Sequence, residues 1–300
     1  MTVSNRHILD QGAALGALGR VALRSLEQQL RGRSRGGDKP QVPGPYVEAT
    51  LPPRRPALVH AYVQNVGGDP SSYAGIVPAH FFPQWAFGLA SQVLEGLPYP
   101  LARVLNVGCN FVQRAPLPAG EPLTVRARLA SIDDDGRRAV LTSEVVTSTR
   151  SAPDALTAEM IAMVPLKRDR AEKKSGDKRE TARAPDDARE LGRLRVDARA
   201  GLDFAKLTGD FNPIHWLPPA ARAAGFPNVI LHGFGTMARA IEVLTRTELR
   251  GDVTRLQSWS CRFTKPLVLP AEAGVYVRGN ELFVARAAGD AAYLVASYET

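Results

Sequence analysis

The stretch FAKLTGDFNPIHWLPPAARAAGFPNVILHGF, from Phe204 to Phe234, decides how the rest of the chain is read. Within six residues it sets a carboxylate (Asp210), a carboxamide (Asn212) and an imidazole (His215), with Gly209 and Pro213 interrupting any regular element between them. Such a run is a loop that holds side chains in place. Seventeen residues after His215 come His232 and Gly233, and then Phe234, Met237, Ala238, Ile241 and Leu244 recur at helical spacing. A helix is therefore predicted to begin near Gly233. Its start leaves backbone N–H groups without partners, and glycine lets a ligand come close to them. An Asp and a His converging on one point can hold a water and move its protons, while a helix N-terminus opposite them can polarise a thioester carbonyl. Together these groups would add water to a double bond conjugated with that carbonyl, or remove it. Taken singly, an Asp-x-Asn-Pro run is an ordinary turn and one histidine is more often structural than catalytic. Their joint spacing argues for chemistry.

The string G-D-x-N-P-I-H, followed by A-x-x-A-G-F and L-H-G-F, resembles the hydratase 2 motif of the MaoC-like, hotdog-fold (R)-specific enoyl-thioester hydratases and dehydratases. The resemblance implies that Asp210 and His215 activate the water and that the Gly233 N–H meets the thioester oxygen. Asn212, His232, Gly209 and Phe234 are expected to bind substrate or orient the loop. One departure is Leu217, where family members often carry an acidic residue. No metal or cofactor is called for.

The chain has 300 residues, 44% hydrophobic and 23% charged, which suits a soluble globular protein of one large or two ordinary domains. No apolar run approaches a membrane span and no secretory leader is visible, so the expected location is the cytoplasm. Cys109 and Cys261 can form one disulfide at most and are read as buried thiols. The net charge of +8 sits mostly outside the motif-bearing segments: residues 1–55 carry +5 and residues 167–190 carry +2. A basic tail and a mixed-charge linker thus explain it, without a nucleic-acid motif or stacking platform.

Around the motif the chain repeats. An offset of 152 carries His80 to His232, Phe82 to Phe234, Cys109 to Cys261, Phe111 to Phe263 and Leu117-Pro118-Ala119 to Leu269-Pro270-Ala271. From 101 to 126, eight of twenty-six positions are identical at that one offset. In each copy a helical apolar pattern (Phe82, Trp85, Ala86, Leu89, Val93 in the first) precedes β-branched, turn-punctuated strands. Two copies of a domain-sized unit follow. The copies differ at the chemistry: the first lacks an Asp-x-Asn-Pro-x-His run and has Phe81 where the second has Gly233.

The expected fold is an α+β double hotdog, each unit a long central helix wrapped by an antiparallel sheet. Its parts are an N-terminal amphipathic helix (residues 8–31) and basic loop within 1–55, a degenerate hotdog over 56–166, a charged linker over 167–190, and a catalytic hotdog over 191–300. The expected activity is reversible hydration of trans-2-enoyl thioesters of coenzyme A or acyl carrier protein. The alternatives are a hotdog acyl-thioesterase and a non-catalytic acyl-thioester-binding protein. The two units form a pseudo-dimer within one chain, with association into a homodimer left open.

Overall fold

The computed structural model describes residues 2–12, 16, 40–101, 104–166 and 181–300. The first unit contains β1 (Val47–Leu51), α1 (Pro56–Asn65), β2 (Ile76–Val77), α2 (Pro83–Val93), β3 (Leu105–Gln113), β4 (Leu117–Pro118), β5 (Leu123–Asp134), β6 (Arg138–Ser148) and β7 (Leu156–Pro165). The second contains β8 (Arg189–Val196), α3 (Ala200–Thr208), α4 (Pro218–Ala223), α5 (Gly233–Thr247), β9 (Ser258–Phe263), β10 (Ala271–Arg278), β11 (Glu281–Ala285) and β12 (Ala292–Glu299). The strands form because their apolar residues alternate: in β7 every second side chain is buried, from Leu156 to Val164.

Ten strands make one antiparallel sheet in the order β1-β5-β6-β7-β3-β9-β12-β11-β10-β8. Read outward from the β3–β9 seam, the two halves run through equivalent strands. At the seam Cys109 stands directly opposite Cys261, its own counterpart at the 152-residue offset. The internal two-fold therefore passes between these two residues, and sequence offset and strand register agree at one point. Their sulfurs lie 3.7 Å apart as free thiols, fully buried beside Met237.

The sheet wraps α2 and α5, giving the expected double hotdog. Met237, Ile241 and Leu244 of α5 are sequestered almost completely, each such side chain stabilising the fold by about 1.5–3 kcal/mol. The polar face of α5 is buried too. Glu242 and Arg239, both largely hidden from solvent, turn toward the first unit. Glu242 Oε1 accepts from the Tyr73 hydroxyl at 2.9 Å and lies 3.0 Å from His80 Nε2. Arg239 donates to the Asn65 carbonyl at 3.1 Å and to the Gly235 carbonyl at 3.0 Å. The Glu242 contacts and the Arg239–Asn65 bond thus add buried polar links between the units to the β3–β9 strand pairing.

Three boundaries differ from the sequence expectations. The first unit begins within 1–55, because the alternating Val47–Leu51 pairs with β5 as an edge strand. The second begins before residue 191: Arg183 bridges Ala291, and Ala184 and Ala188 pack against Tyr276 and Phe283. Small alanines spaced among charges are enough to dock that segment; its preceding part, 167–180, lies outside the described residues. The first central helix is short, 11 residues against 15 in α5, since it runs into Gly96, whose φ is +85°, and Pro98. Of the expected N-terminal helix, the structure describes a 3-10 turn at Asn5–Gln11 and helical backbone at Gly12 and Gly16, while residues 13–15 and 17–31 lie outside the described residues. Gln11 donates to the Lys206 and Leu207 carbonyls at 3.2 and 3.0 Å, docking the turn on α3. Among the described residues no helix is long and apolar enough to cross a membrane.

Candidate active site

The loop begins where α3 stops. Gly209 takes the left-handed conformation at φ 82°, and its N–H returns to the Ala205 carbonyl at 2.8 Å. Only glycine adopts that conformation without strain. Two successive Asx turns then shape the chain: Asp210 Oδ1 accepts from the Asn212 N–H, and Asn212 Oδ1 accepts from the Ile214 N–H, each at 3.3 Å. Asn212 thereby caps the 3-10 turn Pro213–His215. Trp216 Nε1 donates to the Phe211 carbonyl at 3.1 Å and ties down the far side of the loop. Leu217 is 40% exposed and opens α4 without a side-chain cap.

His215 is buried, and its Nδ1 lies 2.9 Å from the Ile230 carbonyl. A carbonyl only accepts, so Nδ1 carries the proton and Nε2 is left as the acceptor. Burial pushes the His215 pKa below its ordinary value, against the opposing effects of the Asp210 charge and that hydrogen bond. The ring is thus neutral near pH 7. His232 stacks on it, centroids 3.6 Å apart and planes 24° from parallel. Its Nε2–H donates to the Asp210 backbone carbonyl at 2.9 Å, so His232 braces the loop. Burial, then the neighbouring His215 and Arg239, holds the His232 pKa well below the usual range. Burial also brings the Arg239 pKa down to about 10.

Asp210, His215 and His232 bring one carboxylate oxygen and two ring nitrogens within 4.8 Å of one another. That spacing suits a water held between Asp210 and His215, since hydrogen-bond reach is about 3 Å on either side. It suits a metal poorly: the lone pairs of stacked, nearly parallel rings do not converge on one point.

Helix α5 begins directly after His232, whose ring stacks on His215. His232 is its N-cap residue yet supplies no side-chain cap, so the Gly233 N–H, first in the helix, has no intrahelical acceptor. A Cβ on Gly233 would stand 2.6 Å from Cγ and Cε2 of Phe263, so any larger residue there forces that ring to shift. Phe234 itself is buried, meeting Phe82, Phe87 and Phe263 edge-on with centroids 5.5–5.8 Å away. It supports the site from the core. Three contributors escape the sequence reading: the Ile230 carbonyl, the Phe263 ring and Gly201. A Cβ on Gly201 would stand 2.9 Å from the His215 carbonyl carbon and closer still to its oxygen. An alanine-glycine pair opening a helix carries no local signal of this; for Phe263 the repeat with Phe111 was the available clue.

This site lies within a segment, residues 180–287, that matches the MaoC like domain. The chain is 30% identical over 240 residues to 3-hydroxyacyl-thioester dehydratase X of Mycobacterium tuberculosis, covering 79% of this chain and 81% of that protein. It is 31% identical over 195 residues to the enoyl-CoA hydratase ChsH3 of the same organism, covering 63% and 62%. The crystal structure of HtdX from Mycobacterium tuberculosis superposes with a TM-score of 0.67 at 25% identity, over 85% of this chain and 99% of that one. Similarity that runs through both units and reaches most of a relative's length cannot come from the motif alone: the chain belongs to the MaoC-like dehydratase family.

Proposed function

We propose that this protein adds water across the double bond of a trans-2-enoyl thioester to give a (R)-3-hydroxyacyl thioester, or catalyses the reverse dehydration. The observation that carries the reading is a carboxylate and a neutral histidine clustered with His232, the residue at which α5 starts without a side-chain cap. A water held by Asp210 and His215 Nε2 gives up a proton to the pair as its oxygen bonds C3. The pair returns a proton to C2, so that H and OH are added across the double bond. Negative charge gathers meanwhile on the thioester oxygen, where the Gly233 N–H and the positive end of the helix stabilise it. The acyl group is carried on coenzyme A or an acyl carrier protein, the two units act as an internal pseudo-dimer, and a homodimer and a cytoplasmic location are consistent with this chemistry.

The test follows the absorbance of the conjugated enoyl thioester with purified protein, alongside thiol release. Absorbance should fall without thiol appearing. Asp210→Asn and His215→Ala should each lower kcat by about 10²- to 10⁴-fold, the range for losing a general acid or base, while circular dichroism stays unchanged. Near-normal turnover in either variant removes that residue from the mechanism, and thiol release in step with absorbance loss indicates a thioesterase instead.

A further inference from the structure

What covers the Gly233 N–H also decides which acyl chains can reach it. Gly233 is half-buried, and the ring of Phe263 from β9 lies against it, as the 2.6 Å separation from a would-be Cβ records. Any thioester oxygen arriving at this N–H must pass beside that ring. Phe87, reaching across from α2 of the other unit, meets Phe234 edge-on at 5.7 Å, and Phe234 meets Phe263 at 5.5 Å. Of the four phenylalanines gathered here, Phe82 and Phe234 are fully buried and locked by packing, whereas Phe87 and Phe263 are half-buried. The two locked rings form a floor; the other two have one side free to turn.

The internal repeat shows why an alkyl chain would run this way. At the 152-residue offset, Phe87 corresponds to Arg239, Ala90 to Glu242 and Gly233 to Phe81. In the first unit the equivalent space is filled: Phe81 is fully buried and stacks on Tyr62 at 3.9 Å. Beside it, His80 is held by Glu242 at 3.0 Å, Tyr62 at 3.0 Å and Tyr73 at 3.1 Å. An alkyl chain entering there would strip a buried hydrogen-bonded network of its partners, a strongly unfavourable step. The Phe234–Phe263 pair has its counterpart in Phe82–Phe111 of the first unit, so what distinguishes the second unit is the Phe87 ring in the place that Arg239 takes in the first.

From this we infer that Phe263 and Phe87 form an aromatic gate, one ring from each unit, that sets acyl-chain length; the inference rests on the enoyl-thioester reading above. With both rings in place the site favours short acyl chains, and longer chains bind only as the rings swing aside. The gate residues touch substrate through packing and take no part in proton transfer.

The experiment measures kcat/KM of the full chain for trans-2-enoyl-CoAs of four, eight and twelve carbons, with Phe87→Ala, Phe87→Leu, Phe87→Trp and Phe263→Ala. In parallel, calorimetry measures binding of the unreactive saturated acyl-CoAs of the same lengths. Admitting two further methylenes is worth about tenfold. The twelve-to-four-carbon ratio should therefore rise about tenfold or more in Phe87→Ala and Phe263→Ala, less in Phe87→Leu, and fall in Phe87→Trp. A ratio within about twofold of the parent in all folded variants, for turnover and binding alike, overturns the gate. If the parent turns over no substrate, the hydratase reading fails, and the binding ratios still decide the gate.

Discussion

Gly201→Ala is a small change with a large expected effect, because of where α3 touches the loop. In an unencumbered helix the substitution would add up to about 1 kcal/mol of stability by restricting the unfolded chain. Here the new methyl would stand 2.9 Å from the carbonyl carbon of His215 and nearer still to its oxygen. Backbone must yield, since neither atom belongs to a flexible side chain. Relieving the overlap requires His215 to retreat by roughly 1 Å, a displacement that costs about 100-fold when it misplaces a reacting group. Overpacking of this kind costs about 1–3 kcal/mol, so after that gain the net loss is about 0–2 kcal/mol, or up to about 8 °C in Tm for a chain of this size. The assay is initial-rate hydration beside a thermal melt. The signature is a fall in kcat near 100-fold with KM changed little and a cooperative melt retained. An unchanged rate, or an increase in Tm, would refute the idea that α3 holds the imidazole in place through this contact.

Two other outcomes follow from buried charge. His215 and His232 both have folded pKa values below the ordinary 6.5, so below that pH the unfolded chain binds more protons than the folded one. Stability should hold above about pH 6.5 and fall as pH drops through the folded values, and kcat/KM should fall in the same direction as Nε2 of His215 is protonated; melts and rates from pH 8 to 5 check both, and stability that rises on acidification contradicts the assignment. Glu242→Ala strips His80 and Tyr73 of a buried partner and should cost about 3–5 kcal/mol, seen as a Tm lowered by on the order of 10 °C. A variant as stable as the parent would show that this network does not hold the units together.

Particular residues show what was legible. The 152-residue offset, read from identities such as Cys109 with Cys261, foretold the duplication; that these two residues face each other across a seam came only from the strand register. Gly209, Asn212 and Pro213 announced a loop because their backbone preferences are local properties. The edge strand at Val47–Leu51 and the docked alanines at 184 and 188 went unread, for each is short and set in charged or loop-like sequence. His232 was expected to serve substrate or loop, and the structure gives it a bracing bond to the Asp210 carbonyl.

The sequence alone determined the element types, the repeat, and the presence of an Asp and a His on one constrained loop, because propensity, periodicity and turn chemistry act over a few residues. Tertiary structure decided the rest. The tautomer of His215 depends on a carbonyl 15 residues away, the closeness of α3 on a glycine with no local signature, and the cover over Gly233 on a ring from β9. The difference between an aromatic contact in one unit and a polar one in the other depends on Phe87 and Arg239, each reaching into the other's half. Such relations arise only when distant segments are packed together, and no local preference of the chain encodes them.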